Sequence, residues 1–135
     1  MGTTVLIVDD HPTFRATARM LLEAEGYDVI GEAPDGTTAI MEASRLHPDL
    51  VLLDVNLPDL DGFQVAERIT AHNGAPAVVL TSSRDSSDFG PLVSGSGARG
   101  FISKGDLSGA AGAEQHVPAP VPGERRQRRF GAEPR

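Results

Sequence analysis

The chain has no cysteine and, among its 12 basic residues, a single lysine, Lys104. Without cysteine there are no disulfides, no thiolate zinc sites and no thiol chemistry. No apolar run approaches the ~20 residues that a membrane helix needs. The N-terminus meets the acidic pair Asp9-Asp10 too soon to hold the apolar core of a signal peptide. Leu6 stands where a myristoylation motif wants serine or threonine. The cytoplasm is the expected compartment, with no membrane contact. A net charge of −7 and a pI near 4.9 argue against a chain that binds nucleic acid along its whole surface.

What is present suits one domain. The 135 residues are 39% hydrophobic, enough for one modest core. The charge divides unevenly. Residues 1–106 carry 7 basic and 16 acidic groups, a net of −9, and residues 107–135 carry a net of +2. The last stretch holds Pro118, Pro120, Pro122 and Pro134 and the run Arg125-Arg126-Gln127-Arg128-Arg129. Such a segment cannot continue a helix and buries little. A boundary is therefore expected near residue 116, with 1–116 the folded domain and 117–135 a disordered tail. The arginine run is read as a solvated tail, since no helix-turn-helix pattern surrounds it.

Before that boundary, apolar runs alternate with helix-period segments. Strands are expected at Thr4–Val8, Tyr27–Glu32, Asp49–Leu53, Ala75–Leu80 and Gly100–Ser103. Helices are expected at Thr13–Glu25, from an N-cap at Asp35 to about Leu46, and at Gly62–His72. A fourth helix, Arg84–Val93, contains Gly90-Pro91 and should be short or broken. A final helix, Leu107–His116, is weakened by Gly109 and Gly112. Five strands alternating with helices define a doubly wound parallel α/β sheet with flanking helices. In such sheets the ligand site lies beyond the carboxyl ends of the strands.

Chemistry-bearing residues stand at those ends. Strand one runs into Asp9-Asp10, strand three into Asp54, strand four into Thr81, and strand five into Ser103-Lys104. A lone aspartate after a strand is usually a cap or a loop residue. Three carboxylates, a hydroxyl and the one ammonium group at the same end of successive strands are harder to explain so simply. The carboxylates repel one another, and a divalent cation or an amine relieves the repulsion. Oxygen-only ligands favour magnesium over zinc. Gly95-Ser-Gly-Ala-Arg-Gly100 fits G-x-G-x-x-G by letter, but it precedes a strand and opens no helix, so it is read as a turn. His11, His47, His72 and His116 have no ligand-like spacing. They are read as surface or cap residues; His11 is the exception by position, bordering the acidic site that it could tune, and is read first as a loop residue.

The runs VLIVDDHPTFR, PDLVLLDVNLPDLDG, VVLTSS and GARGFISK resemble the receiver domain of bacterial two-component response regulators, and Asp-Asp-His-Pro at the first site is similar to receivers of the NarL/LuxR-type subfamily. The resemblance covers about residues 3–108. It implies a flavodoxin-like sheet of order 2-1-3-4-5. It implies a phosphorelay in which Asp54 takes a phosphoryl group from a sensor histidine kinase or a small phosphodonor, with Mg²⁺ as cofactor. Asp10, Asp54 and the backbone carbonyl of Asn56 would ligate the metal, and Asp9 would act through a metal-bound water. Lys104 and the Thr81 hydroxyl would meet the phosphoryl oxygens. Thr81 and Phe101 would form the switch, and a homodimer would use the face made by helix four, strand five and helix five. The module would be a phosphoacceptor that dephosphorylates itself slowly, not an enzyme.

Three alternatives accompany this reading. One is the truncated receiver of a DNA-binding regulator, because the resemblance leads one to expect a helix-turn-helix that this chain does not pattern. Another is a haloacid-dehalogenase-type phosphatase, which would want an acid where Asn56 stands. The third is a binding-only receiver without phosphorylation.

Overall fold

A computed structural model describes residues 2–83 and 90–108 of the chain. Five strands, β1 (Thr4–Val8), β2 (Asp28–Ala33), β3 (Leu50–Asp54), β4 (Ala77–Ser82) and β5 (Gly100–Ser103), form one parallel sheet of order β2-β1-β3-β4-β5. The helices are α1 (Pro12–Ala24), α2 (Gly36–Leu46), α3 (Gly62–Ile69), α4 (Gly90–Gly95) and α5 (Lys104–Ser108). This is the expected doubly wound α/β sheet, flavodoxin-like in its strand order.

The central strands are apolar on both faces because helices cover both. Pleating sends alternate residues to opposite sides. Leu6, Val8, Val51, Leu53, Val78 and Leu80 join Ala39, Ala43, Val65, Ala66 and Ile69 under α2 and α3. Val5, Ile7, Leu50, Leu52, Val79 and Ile102 join Ala18, Leu22 and Leu107 under α1 and α5. Each fully buried Leu, Ile or Val contributes about 1.5–3 kcal/mol relative to leaving it in water. Leu107 is fully buried and anchors the described part of α5 against the sheet.

Two helices differ from the sequence expectation. Helix four was expected as Arg84–Val93, interrupted by Gly90-Pro91. Among the described residues α4 spans Gly90–Gly95, so Gly90-Pro91 lies within helix. Residues 84–89 lie outside the described residues. The final helix was expected as Leu107–His116, yet α5 opens directly after β5, at Lys104. The Ser103 hydroxyl accepts the Asp106 N–H at 3.2 Å, a cap that the sequence reading overlooked. Residues 109–116 and the whole expected tail, 117–135, lie outside the described residues.

The remaining boundaries follow local chemistry. The Asp35 side chain accepts the Thr38 N–H at 2.8 Å and caps α2, as expected. α3 starts where Asp61 accepts the Phe63 N–H at 2.7 Å. It ends at Ile69, three residues short of the expected His72 end, and the hydroxyl of the following Thr70 turns back to Ala66 O at 2.7 Å. β4 runs two residues further than expected. Its last residues, Thr81 and Ser82, therefore lie inside the sheet, paired with Ile102 and Ser103.

Candidate functional site

Strand register decides which side chains meet. Val8 pairs with Leu53, Asp54 with Thr81, and Ser82 with Ser103. Asp9, Asp54, Thr81 and Lys104 therefore leave neighbouring strands at the same end of the sheet. Asp9, Asp54 and Thr81 are buried, and Asp10 stands at the rim.

Lys104 Nζ lies 2.6 Å from Asp9 Oδ2 and 3.3 Å from Asp54 Oδ2, with the Phe14 ring centroid 4.6 Å away. Asp54 Oδ1 accepts the Asn56 N–H at 3.2 Å. Burial pushes the Asp54 carboxyl above the usual range, the Asn56 N–H works against that, the Asp9 charge adds to it, and Lys104 opposes it. Burial acts to lower Lys104, but its hydrogen bond to Asp9 and the charges of Asp54 and Asp9 outweigh it and hold the ammonium above its ordinary pKa. The Thr81 hydroxyl is buried and has no hydrogen-bond partner among the described residues. A buried donor left unpaired costs about 1–3 kcal/mol, so a group that would pair with it is the natural explanation.

Asn56 opens the β3–α3 loop, which lines an open cleft of ≈ 420 Å³ facing Asp10. Gly62 lets the loop close. Its N–H reaches Val55 O at 3.0 Å, and a Cβ there would run into the backbone of Asp54 and Val55. Phe101 is half-buried beside its register partner Leu80, on the α2/α3 face. Thr81, the next residue along β4, pairs with Ile102, whose side chain belongs to the α1/α5 face. The two expected switch residues are thus one register step apart.

Four residues at or near the site were missed or underweighted by sequence reasoning. His11, read as a loop residue, holds Nδ1 2.9 Å from Asp9 Oδ1 and 3.1 Å from Asp10 Oδ1. Arg15 donates to the Asp9 main-chain carbonyl at 2.6 Å and pairs with Glu32 at 2.9 Å. Asp59 accepts from Gly36 N at 2.7 Å, Thr37 N at 3.0 Å and Thr37 Oγ1 at 2.7 Å, tying the β3–α3 loop to the start of α2. Gly62 is the fourth. The only sequence signals were the wording DDHPTFR and LPDLDG, and neither run shows which partners its polar residues reach.

One donor atom from each of Asp9, Asp10, His11 and Asp54 fits within a 4.8 Å cluster. Three carboxylates face one ammonium, so formal negative charge is left over. That surplus, and the oxygen-rich donor set, fit a hard divalent cation such as Mg²⁺.

A family model for the response regulator receiver domain matches residues 5–108. The chain belongs to that family, whose members are signalling phosphoacceptors and not conventional enzymes. It is 38% identical over 104 residues to the virulence-factor transcription regulator BvgA of Bordetella pertussis, covering 77% of this chain and 50% of that protein. It is 31% identical over 99 residues to the DNA-binding transcriptional activator EvgA of Escherichia coli (strain K12), covering 73% and 48%. The chain spans about half the length of these curated relatives. Among solved structures, a LuxR-family two-component response regulator from Aurantimonas sp. SI85-9A1 superposes with a TM-score of 0.77 at 29% identity, over 85% of this chain and 81% of that one. The response regulator domain of Thermotoga maritima CheB, at 21% identity and a TM-score of 0.71, shares the fold over 87% of this chain and all of that one. No helix among the described residues is long and apolar enough to cross a membrane.

Proposed function

We propose that this receiver is a cytoplasmic phosphoacceptor that takes a phosphoryl group onto Asp54 from a sensor histidine kinase, or from a small acyl phosphate. The observation that carries the reading is the buried, unpartnered Thr81 hydroxyl in register with Asp54, with Lys104 Nζ 3.3 Å from the same carboxylate. An Asp54 oxygen forms the new P–O bond while the donor's P–N or P–O bond breaks, and the electron pair leaves with the donor. Lys104 meets the charge arriving on the phosphoryl oxygens, and the Thr81 hydroxyl donates to another of them. Asp10, Asp54 and the Asn56 carbonyl would hold Mg²⁺, with Asp9 supporting it less directly, and the bound cation would supply charge neutralisation for the transfer. Slow return follows when water takes the phosphoryl group, releasing phosphate and the Asp54 carboxylate.

The switch is the movement of Thr81 toward the phosphoryl group, read out by packing around Phe101. Phenylalanine has no hydroxyl, so the readout rests on packing alone. A homodimer through α4, β5 and α5 belongs to the same reading, and α4 turns Leu92 outward, 55% exposed. Residues 117–135 are proposed as a tail outside the receiver, consistent with the family match ending at residue 108.

A second reading follows from the relatives. BvgA and EvgA are transcription regulators about twice the matched length, so this receiver is proposed to serve a DNA-binding regulator. A dehalogenase-type phosphatase finds no support, since the position two after Asp54 is Asn56. Intact-protein mass spectrometry with acetyl phosphate and Mg²⁺ tests the main reading. Wild type should gain one phosphoryl group, mapped to Asp54, and Asp54→Asn should gain none. An undiminished gain in Asp54→Asn would sink the assignment.

A further inference from the structure

We infer that Phe14 is a positioning residue for phosphoryl transfer: its ring holds the Lys104 ammonium beside the acceptor carboxylate, where that ammonium meets the incoming phosphoryl oxygens. The inference rests on the reading above, in which Asp54 accepts the phosphoryl group.

Local sequence places the ring. Pro12 opens α1, so Phe14 stands in the first turn of the helix, just past Asp9-Asp10. Ala18 and Leu22 follow at i+4 and i+8 on the same stripe, and both are buried. Phe14 packs with them against the cluster that contains Ile7, Ile102 and Leu107. Residues of β1, β5 and α5 thus fix the ring from the core side. Lys104 opens α5 directly after β5, so the core that seats Phe14 also seats the main chain of the lysine.

The contact is a cation over an aromatic face. Lys104 Nζ lies 4.6 Å from the Phe14 centroid, inside the ~6 Å over which a ring quadrupole attracts an ammonium. The same Nζ is 2.6 Å from Asp9 Oδ2 and 3.3 Å from Asp54 Oδ2. Two carboxylates and one ring surround it, and the lysine side chain is only 17% exposed.

The chemistry needs a partner of this kind. Lysine is a point charge on a flexible four-carbon stem, and its geometry comes from its neighbours. A third carboxylate in place of the ring would compete with the phosphoryl oxygens for the ammonium. The ring attracts it without formal charge and keeps water off one side. The ammonium can then turn from the Asp54 carboxylate to the phosphoryl oxygens without leaving the ring. In the transfer an Asp54 oxygen bonds to phosphorus while the donor's bond to phosphorus breaks and its electron pair leaves with the donor. Phe14 exchanges no proton or electron and acts through Lys104 alone.

The full chain carrying ¹³C-labelled lysine reports on this contact by itself, because Lys104 is the one lysine. Ring current should shift the Lys104 Hε signals of wild type upfield. Phe14→Tyr should keep that shift, and Phe14→Leu, apolar but without a π face, should lose it. Phosphorylation of Asp54 by acetyl phosphate at saturating Mg²⁺ should slow at least about threefold in Phe14→Leu and stay within about twofold of wild type in Phe14→Tyr. Mg²⁺ affinity, which a general loosening of the site would lower, should stay within about twofold in both, since neither change touches a carboxylate. Wild-type Hε signals at their unstructured positions would overturn the inference, and that measurement needs no variant to fold. A Phe14→Leu protein phosphorylated at the wild-type rate, or both variants slowed alike, would overturn it while leaving Asp54 as the acceptor. A wild-type chain that gains no phosphoryl group on Asp54 would overturn the underlying reading and this inference together.

Discussion

Lys104 Nζ stands 2.6 Å from Asp9 Oδ2, a charge-assisted contact between a half-buried ammonium and a fully buried carboxylate. Asp54 shares the same ammonium at 3.3 Å. The one lysine of the chain thus holds two buried negative charges that repel each other. Removing one partner of a buried pair is costly because the other charge is left without compensation. Lys104→Met should therefore lose about 2–3 kcal/mol of stability at neutral pH. Urea unfolding measures it, and saturating Mg²⁺ should return part of the loss. A midpoint equal to wild type would show that Lys104 is not the counter-charge.

Asp54→Asn should stabilise the metal-free protein by about 1 kcal/mol at neutral pH, while abolishing phosphorylation. The sign follows from linkage. The Asp54 carboxyl titrates above its unfolded value, chiefly through burial, so the folded state holds its proton more tightly. Its contribution therefore becomes less favourable as pH rises from the unfolded pKa through the raised folded one. Unfolding curves of the two proteins should converge on acidification and separate toward neutrality, with the variant above. The opposite order would mean that ionised Asp54 is favourable in the absence of metal.

Asp59 shows the opposite linkage. The Thr37 hydroxyl and the Gly36 and Thr37 N–H groups hold its carboxyl down to about 2. A depressed carboxylate stabilises above its unfolded pKa and loses that contribution as pH falls through the folded one. Asp59→Ala should lower the urea midpoint at pH 7, and the gap from wild type should narrow between about pH 4 and pH 2. The same change should weaken Mg²⁺ binding, because Asp59 anchors the loop that presents Asn56. An unaltered Mg²⁺ affinity would confine Asp59 to capping α2.

The fold was legible because a parallel sheet buried on both faces is written as continuous apolar runs, VLLD and AVVLT among them, each ending in a polar residue. Asp54, Thr81 and Lys104 could be placed for that reason, and a single lysine leaves no choice of amine. Non-local polar contacts left no such trace. Asp59 reaches back 23 residues to Gly36, and Arg15 reaches both the Asp9 main-chain carbonyl and the Glu32 side chain 17 residues away. His11 was discounted because its partners are its own neighbours, Asp9 and Asp10, whose closeness depends on the turn before Pro12. The start of α5 was misplaced because Ser103 was read as the end of a strand when it is also the cap of the helix.

Gly62 makes the last case, since its role is a close approach and not a conformation. Its N–H bonds to Val55 O at 3.0 Å, which draws the start of α3 against the end of β3 just where Asp54 sits. A methyl group would meet main-chain atoms of Asp54 and Val55, and backbone cannot swing aside as a long side chain can. Gly62→Ala should cost about 1–3 kcal/mol, in the range of overpacking, and should slow phosphorylation of Asp54 by acetyl phosphate. Gly105 provides the contrast. A Cβ there meets nothing within 4 Å among the described residues, and the position lies in α5. Gly105→Ala should be neutral or stabilise by up to about 1 kcal/mol, because alanine loses less freedom on entering a helix. Thermal unfolding of the two variants beside wild type separates the cases. If both shift alike, glycine at position 62 matters for chain entropy and not for the contact with the phosphoacceptor strand.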